Sequence, residues 1–244
     1  MAEPTQPVQA PKRIPLSRGE VLRAAVALAD ESGLDSLSMR NLGQALGVVP
    51  MALYKHVANK EELLDGMVDA VVGEIDRLVR GADWKSAVRH RILSARAALL
   101  RHPWASQVIE SRTSPTPLVL EYMDSMIGIF RDGGLSVDLT HHVMHALGSR
   151  MWGFTQEVFD TSQSSESLDP QEQAGLIRQM AGTYPHIVEV AIGASHEGRS
   201  VVGSGCDDQF EFEFALDLLL DGFERLHEQG WTSAGGSSGL PNNR

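Results

Sequence analysis

Two groups of side chains in this chain are spaced to do chemistry. The first lies between Ser38 and Lys60 and contains Arg40, Tyr54, Lys55, His56 and Lys60. Ammonium, guanidinium and phenol groups satisfy phosphate oxygens, and a guanidinium can also fork onto two acceptors of a guanine edge. The second group is His141, His142 and His145. His141 and His145 are four residues apart and share one face of a helix. Such a pair can hold a metal, grip a polar ligand or sit in solvent. No Cys or HExxH-type carboxylate accompanies it, so neither a metal nor a cofactor is expected.

Helices must position both groups. Ser17 and Glu20 form a capping box ahead of the apolar stripe Val21, Leu22, Ala25, Leu28, Ala29, and Gly33 supplies the stop. That predicts a first helix over 17–32. Leu34 and Leu37 anchor the connection. Ser38 caps a short second helix, with Leu42, Ala45 and Leu46 facing inward and Gly47 breaking it. Pro50 suits the first turn of a third helix, where its missing N–H costs nothing, and that helix is expected to reach Val57. Asn59 and Glu62 open a fourth helix that runs to Ile75. Further helices are expected near 84–101, 104–110, 116–132, 136–158, 170–192 (broken at Pro185) and 207–229. Thr161 to Ser167 reads as a loop. No alternating strand pattern and no internal repeat is found.

Bulk composition narrows the class. An apolar content of 42% is ordinary for a chain that builds a core. No apolar run approaches the roughly 18 residues of a membrane span, and Met1 to Pro11 lacks the apolar region of a secretory signal. The single cysteine, Cys206, rules out an internal disulfide. A cytoplasmic protein is expected. The formal charge of −11 argues against nucleic-acid binding only if it is spread evenly. It is not: Lys12 to Lys60 holds seven Lys/Arg against four acids, a net +3. Basic charge at one end can hold phosphate while the acidic remainder faces solvent.

Two short helices around a Gly turn, 38–46 and 50–57, make a helix-turn-helix, whose second helix enters the major groove with its N-terminal residues at base edges. Those residues are Pro50, Met51 and Ala52, so base hydrogen bonds from them are sparse and thymine methyls are their natural partners. Arg40 is the candidate for guanine. Tyr54, Lys55, His56 and Lys60 sit where a phosphate strand should pass. The plain alternative is a helical hairpin whose polar residues coat a surface.

The run "LGVVPMALYKHVANKEELL", inside the stretch 24–68, resembles the N-terminal domain of the tetracycline-repressor (TetR) family. A looser likeness to that family's C-terminal domain is carried by "WKSAVRHRILSARAALLRHP", "FRDGG" and "FEFALDLLLDGFERL". The resemblance implies an all-α protein: an N-terminal three-helix helix-turn-helix DNA-binding domain followed by a larger helical bundle that dimerises. It implies a disordered arm over 1–13, the DNA-binding domain over 14–76, the sensing and dimerising body over 77–230, and a flexible tail over 231–244. It implies phosphate contacts for Tyr54, Lys55, His56 and Lys60, and base-proximal roles for Arg40, Pro50 and Met51, with Ser38 and Ala52 beside them. Its expected partners are a double-stranded operator, a second copy of the chain and a small-molecule effector, with no membrane.

The body agrees in part on its own residues. Phe210, Phe214, Leu216, Leu218, Leu219, Leu220, Phe223 and Leu226 make the last helix apolar around most of its circumference. Such a helix is buried on more than one side: a core face plus a dimer seam, or a wholly internal helix. An effector pocket between helices is expected to draw on Arg91, Met123, Met126, Ile127, His141, Met144, His145 and Trp152, with Phe130 near them, for a largely apolar ligand. Plain core packing is the alternative for each. In the family's namesake a histidine of the short middle helix anchors a magnesium–drug complex. Ile109 stands at the matching position, and without the histidine magnesium and tetracycline are not expected, even though Glu157 does fall near the place of the partner's carboxylate. An enzyme built on His141, His145 and Glu157 lacks any nucleophile elbow, phosphate loop or dinucleotide fingerprint. A regulator controlled by a protein partner rather than a ligand is the remaining alternative.

Overall fold

The computed structural model describes residues 16–76, 81–112, 114–153, 170–186, 188–189 and 208–235. Every regular element among them is a helix. The expected arm over 1–13, the loop at 161–167, Glu157, Cys206 and most of the tail lie outside the described residues. Two compact units are present. One joins the segment ending at Ile75 with Ala97–Tyr122, and the other holds Asp76–Arg96 and the chain from Met123 onward. The helices Trp84–Arg101 and Pro117–Asp132 each lend residues to both.

The first unit begins with α1 (Arg18–Ser32), where the capping box is complete. The Ser17 hydroxyl accepts from the Glu20 amide at 3.2 Å, and the Ser17 amide donates to the Glu20 carboxylate at 2.8 Å. The Ser17 hydroxyl also donates to the Glu20 carboxylate at 2.9 Å, and this bond, followed by the one from the Ser17 amide, holds the Glu20 carboxyl below its usual range. A 3-10 turn at Leu34–Ser36 follows, and Leu37 is buried as the anchor of the connection. Next come α2 (Met39–Leu46), α3 (Pro50–Leu53), α4 (Lys60–Val72) and, after the start of the second unit, α6 (Trp104–Ser111). Here α5 denotes Trp84–Arg101. α1 packs on α2 and α4, α2 on α3, and α4 on α6. Val21, Ala25, Leu42, Leu53, Leu63 and Met67 form the core between them. Gly66 sets the distance of α4 from α1: a Cβ there would lie 2.6 Å from a methyl of Leu22.

The second unit contains most of α5, then α7 (Pro117–Asp132), α8 (Val137–Gly153), α9 (Pro170–Thr183) and α10 (Asp208–Glu228). The end of α7 folds tightly onto α5. Trp84 lies 5.9 Å from Phe130, and a Cβ on Gly133 would collide with the Trp84 ring at 2.6 Å. α10 has three distinct faces. Phe212, Leu216, Leu220 and Phe223 are buried, whereas Phe210, Phe214 and Leu218 are 62%, 54% and 57% exposed. The flank between these faces is acidic and pairs with α5. Arg89 binds Glu213 and Asp217 at 2.6 and 2.7 Å, and Lys85 binds Asp221 and Glu224 at 2.5 and 2.7 Å. Buried Arg96 bonds the Asp208 carboxylate at the start of α10 and stacks its guanidinium 4.3 Å over the Phe212 ring.

The helical expectations differ from the structure at a few ends. The third helix stops at Leu53 instead of Val57. Residues 54–56 turn, although the amides of His56 and Val57 still bond the Leu53 carbonyl at 2.8 and 3.1 Å. The fourth helix stops at Val72, not Ile75, because Gly73 caps it. Its capping pair is also shifted by one residue: the Asn59 side chain accepts from the Glu62 amide, but Glu62 reaches back to the amide of Ala58.

Candidate nucleic-acid interface

The reading turn is built by two glycines and a proline. Gly47 takes a left-handed φ of 65°, which a side chain rarely adopts. The Val48 amide then returns to the Gly43 carbonyl at 2.9 Å. Gly43 permits the close approach, since a Cβ there would lie 2.9 Å from the Val48 carbonyl oxygen and 3.4 Å from the Pro50 nitrogen. Ser38 caps α2 by accepting from the Asn41 amide at 3.1 Å. The Asn41 side chain in turn donates to the Ser36 carbonyl at 2.8 Å. These bonds fix α2 relative to the turn before it.

On this frame Arg40 occupies the second position of α2 and is exposed, with no ion-pair partner among the described residues. Met51 is 72% exposed at the start of α3, and Pro50 beside it is exposed too. Ala52 is half-buried. Tyr54 and Lys55 are exposed in the turn that follows, and His56 is half-buried. Lys60 is exposed at the first residue of α4. A cation at a helix N-terminus opposes the macrodipole, so Lys60 does not serve the helix it stands on. Glu61 and Glu62 in the same turn serve it instead.

Sequence reasoning missed Val49, which is 68% exposed beside Met51. Two large apolar side chains at the tip of the turn stay mostly exposed in the free chain, and apolar contact with thymine methyls is the chemistry open to them. Gly43 and Gly66 were also missed, because a close approach between elements leaves no local signal. So was a set of long-range bonds on α4. Arg112 pairs with Glu61 and Asp65 at 2.6 and 3.1 Å, and the Thr116 hydroxyl donates to Asp69 at 2.5 Å. They fasten the end of α6 along the acidic flank of α4.

The residues nominated for an effector are spread over several surfaces. Met126 is buried beside Ile129 and Phe130, whereas Met123 and Ile127 share an exposed stripe of α7 with Leu120. Met144 and Arg91 are half-buried, and an Arg91 N–H points at the Asp76 carbonyl at 3.4 Å. His141 and His145 are exposed with ring centroids 4.6 Å apart, and His142 meets the edge of Trp231 at 5.4 Å. Trp152 belongs to α8, but its side chain, like that of Arg150, is outside the description. Among the described residues no three His, Cys, Asp or Glu side chains converge to hold an ion. A surface depression of about 370 Å³ lies over Asp76, Ser86, Arg89, His90, Leu93 and Ser94; none of the nominated residues lines it, and Arg91 reaches only the Asp76 carbonyl at its edge. No described helix is long and apolar enough to cross a membrane.

Comparison with known proteins agrees with this geometry. Residues 21–67 match the bacterial regulatory proteins of the tetR family, and residues 79–227 match the tetracyclin repressor-like C-terminal domain. The HTH-type transcriptional repressor DrrR1 of Streptomyces coeruleorubidus is 28% identical over 236 residues, 92% of this chain and 83% of its own length. Tetracycline repressor protein class C of Escherichia coli is 28% identical over 214 residues, 86% of this chain and 92% of its own. The TetR family protein ActR of Streptomyces coelicolor, solved in complex with (S)-DNPA, superposes with a TM-score of 0.66 at 26% identity over 87% of this chain and 98% of that one. A capped helix-turn-helix with an exposed cationic and apolar tip, followed by this helical body, makes the chain a member of the tetR family of DNA-binding transcriptional regulators, not an enzyme.

Proposed function

We propose that the protein is a homodimeric repressor that grips a palindromic operator and is released from it by a largely apolar small molecule. The carrying observation is the exposed set around the reading turn: Arg40 without an acid partner among the described residues, the exposed Tyr54, Lys55 and Lys60, and the exposed apolar pair Val49 and Met51 at the tip. Cations at such a position hold phosphates and fix register. Arg40 reads a base, and the apolar pair favours thymine.

Dimerisation is supported by α10. Its buried face satisfies the body, and its acidic flank is neutralised by Lys85 and Arg89, which leaves Phe210, Phe214 and Leu218 as an outward apolar stripe. Exposed Val137 at the start of α8, the helix that packs on α10, adds to the apolar surface. A two-fold axis through this surface gives two heads, and half-sites about one helical turn apart follow from it. An effector fits the body's methionines, and ActR, a relative solved with (S)-DNPA, supports a body that takes a small molecule. Arg91, Met123, Met126, Ile127, His141, Met144, His145 and Trp152 are proposed as the effector-facing set.

Selection from random duplexes with the purified protein tests the reading. The expected product is a palindrome with half-sites spaced by one turn. Recovery of unrelated sequences with no shared element rejects it.

A further inference from the structure

His102 follows the last residue of α5 and is 7% exposed. Its Nδ1 lies 2.9 and 3.1 Å from the two carboxylate oxygens of Asp30, near the end of α1. Its Nε2 lies 3.1 Å from an oxygen of Glu74, in the turn that leaves α4. Each carboxylate has a second donor. The Trp104 indole N–H donates to Asp30 at 2.6 Å, and Arg101 donates to Glu74 at 2.7 Å. The Trp104 ring also stands 6.0 Å from the imidazole at a tilt of 57°. Thus α1, the exit of α4, the end of α5 and the start of α6 meet on one side chain, wholly within the first unit.

A neutral imidazole has one N–H and one lone pair. It can donate to Asp30 or to Glu74, and its other nitrogen would then face a carboxylate lone pair with no proton between them. Only the imidazolium donates to both. Burial pushes the Glu74 carboxyl up, but hydrogen bonds from Arg101 and His102 outweigh it and hold the group below its usual range. Glu74 is therefore a carboxylate at neutral pH.

We propose that His102, as an imidazolium, is a positioning residue that clamps α1 and the exit of α4 to the α5–α6 corner, and that losing its proton loosens the reading head and weakens operator binding. The inference rests on the operator-binding reading above and adds proton control to it. The proton makes both arms, so by linkage the contribution is present while the ring carries that proton and is lost when alkaline pH removes it. A head already held in one geometry loses less freedom on binding DNA, so affinity follows the clamp. Asp30, Glu74, Arg101 and Trp104 are the polar groups around the imidazole among the described residues. His56 is a half-buried histidine beside the DNA-facing turn, and a His56→Gln variant separates its contribution.

The test is operator affinity of the full-length protein between pH 6 and 9 at fixed ionic strength, for the wild type, His102→Gln, Glu74→Gln and His56→Gln. The wild type should weaken toward alkaline pH by about three- to tenfold, the span of a one-proton linkage of modest size, and His56→Gln, whatever affinity it loses as a phosphate contact, should keep a decline that His102→Gln lacks. His102→Gln should be weak and flat, and Glu74→Gln should lose its affinity at lower pH than the wild type. Identical profiles for the wild type and His102→Gln overturn the clamp. If His102→Gln fails to fold, an unmoved profile for Glu74→Gln overturns it equally. Ring-nitrogen NMR of the wild type near neutral pH gives an independent answer: both nitrogens protonated supports the clamp, and a neutral ring rejects it. A wild type that binds no selected palindrome at any pH removes the operator reading, while the NMR result still decides the state of His102.

Discussion

The reading head and the last helix of the body solve opposite problems. In the head a few short helices bury one another, and the residues exposed around the turn include cations, a tyrosine and two large apolar side chains. In α10 a single helix carries three faces: one buried, one acidic and paired, one apolar and exposed. Exposure of apolar groups means different things in the two places. A pair at the tip of a turn fits a groove, whereas a stripe along a helix fits another protein surface.

The largest effect should come from testing the faces of α10 against each other. Leu216→Ala opens a cavity in the body and should cost about 2–5 kcal/mol in chemical denaturation. Leu218→Ala, on the exposed face, should change the stability of one subunit by less than about 0.5 kcal/mol. Equal losses would erase the distinction between the faces. Next, Phe210→Glu combined with Phe214→Glu should weaken self-association at least about a hundredfold, near 2.7 kcal/mol, with helix content unchanged. Analytical ultracentrifugation reads this, and a double variant that associates like the wild type would move the seam elsewhere.

In the head, Arg40→Ala should cost about 1–3 kcal/mol of discrimination between the selected operator and single-base variants. A loss that is uniform across sequences would make Arg40 a positioning contact only. Ser17→Ala should cost about 1 kcal/mol of stability, since it deletes the cap of α1, and thermal melting checks it. The smallest effect is expected at Lys60→Ala: weaker binding to all duplexes and a salt dependence shallower by about one ion. An unchanged salt slope would remove Lys60 from the phosphate grip.

The same contrast explains how much was legible before any coordinates. The head was readable almost residue by residue because its signals are local. A capping box, a glycine with left-handed backbone and a proline at a helix start are each fixed by bonds within five residues. α10 was legible only as apolar all round. Its division into faces depends on Lys85, Arg89 and Arg96, over a hundred residues away in the chain. The His102 cluster was invisible for the same reason, since Asp30 and Glu74 are brought to it by packing. The nominated effector residues come from composition, and composition does not say which side of α7 a methionine takes: Met126 went to the core, and Met123 to the exterior.

The bare tip of Val49 and Met51 has a thermodynamic consequence. Cations bind DNA by releasing counterions, so their share of the affinity declines as salt rises. Burying two apolar side chains releases none, and its mark is a negative heat-capacity change. The part of recognition carried by the tip should therefore persist at ionic strengths that dissolve the phosphate grip, and the ranking of operators should outlast their overall affinity.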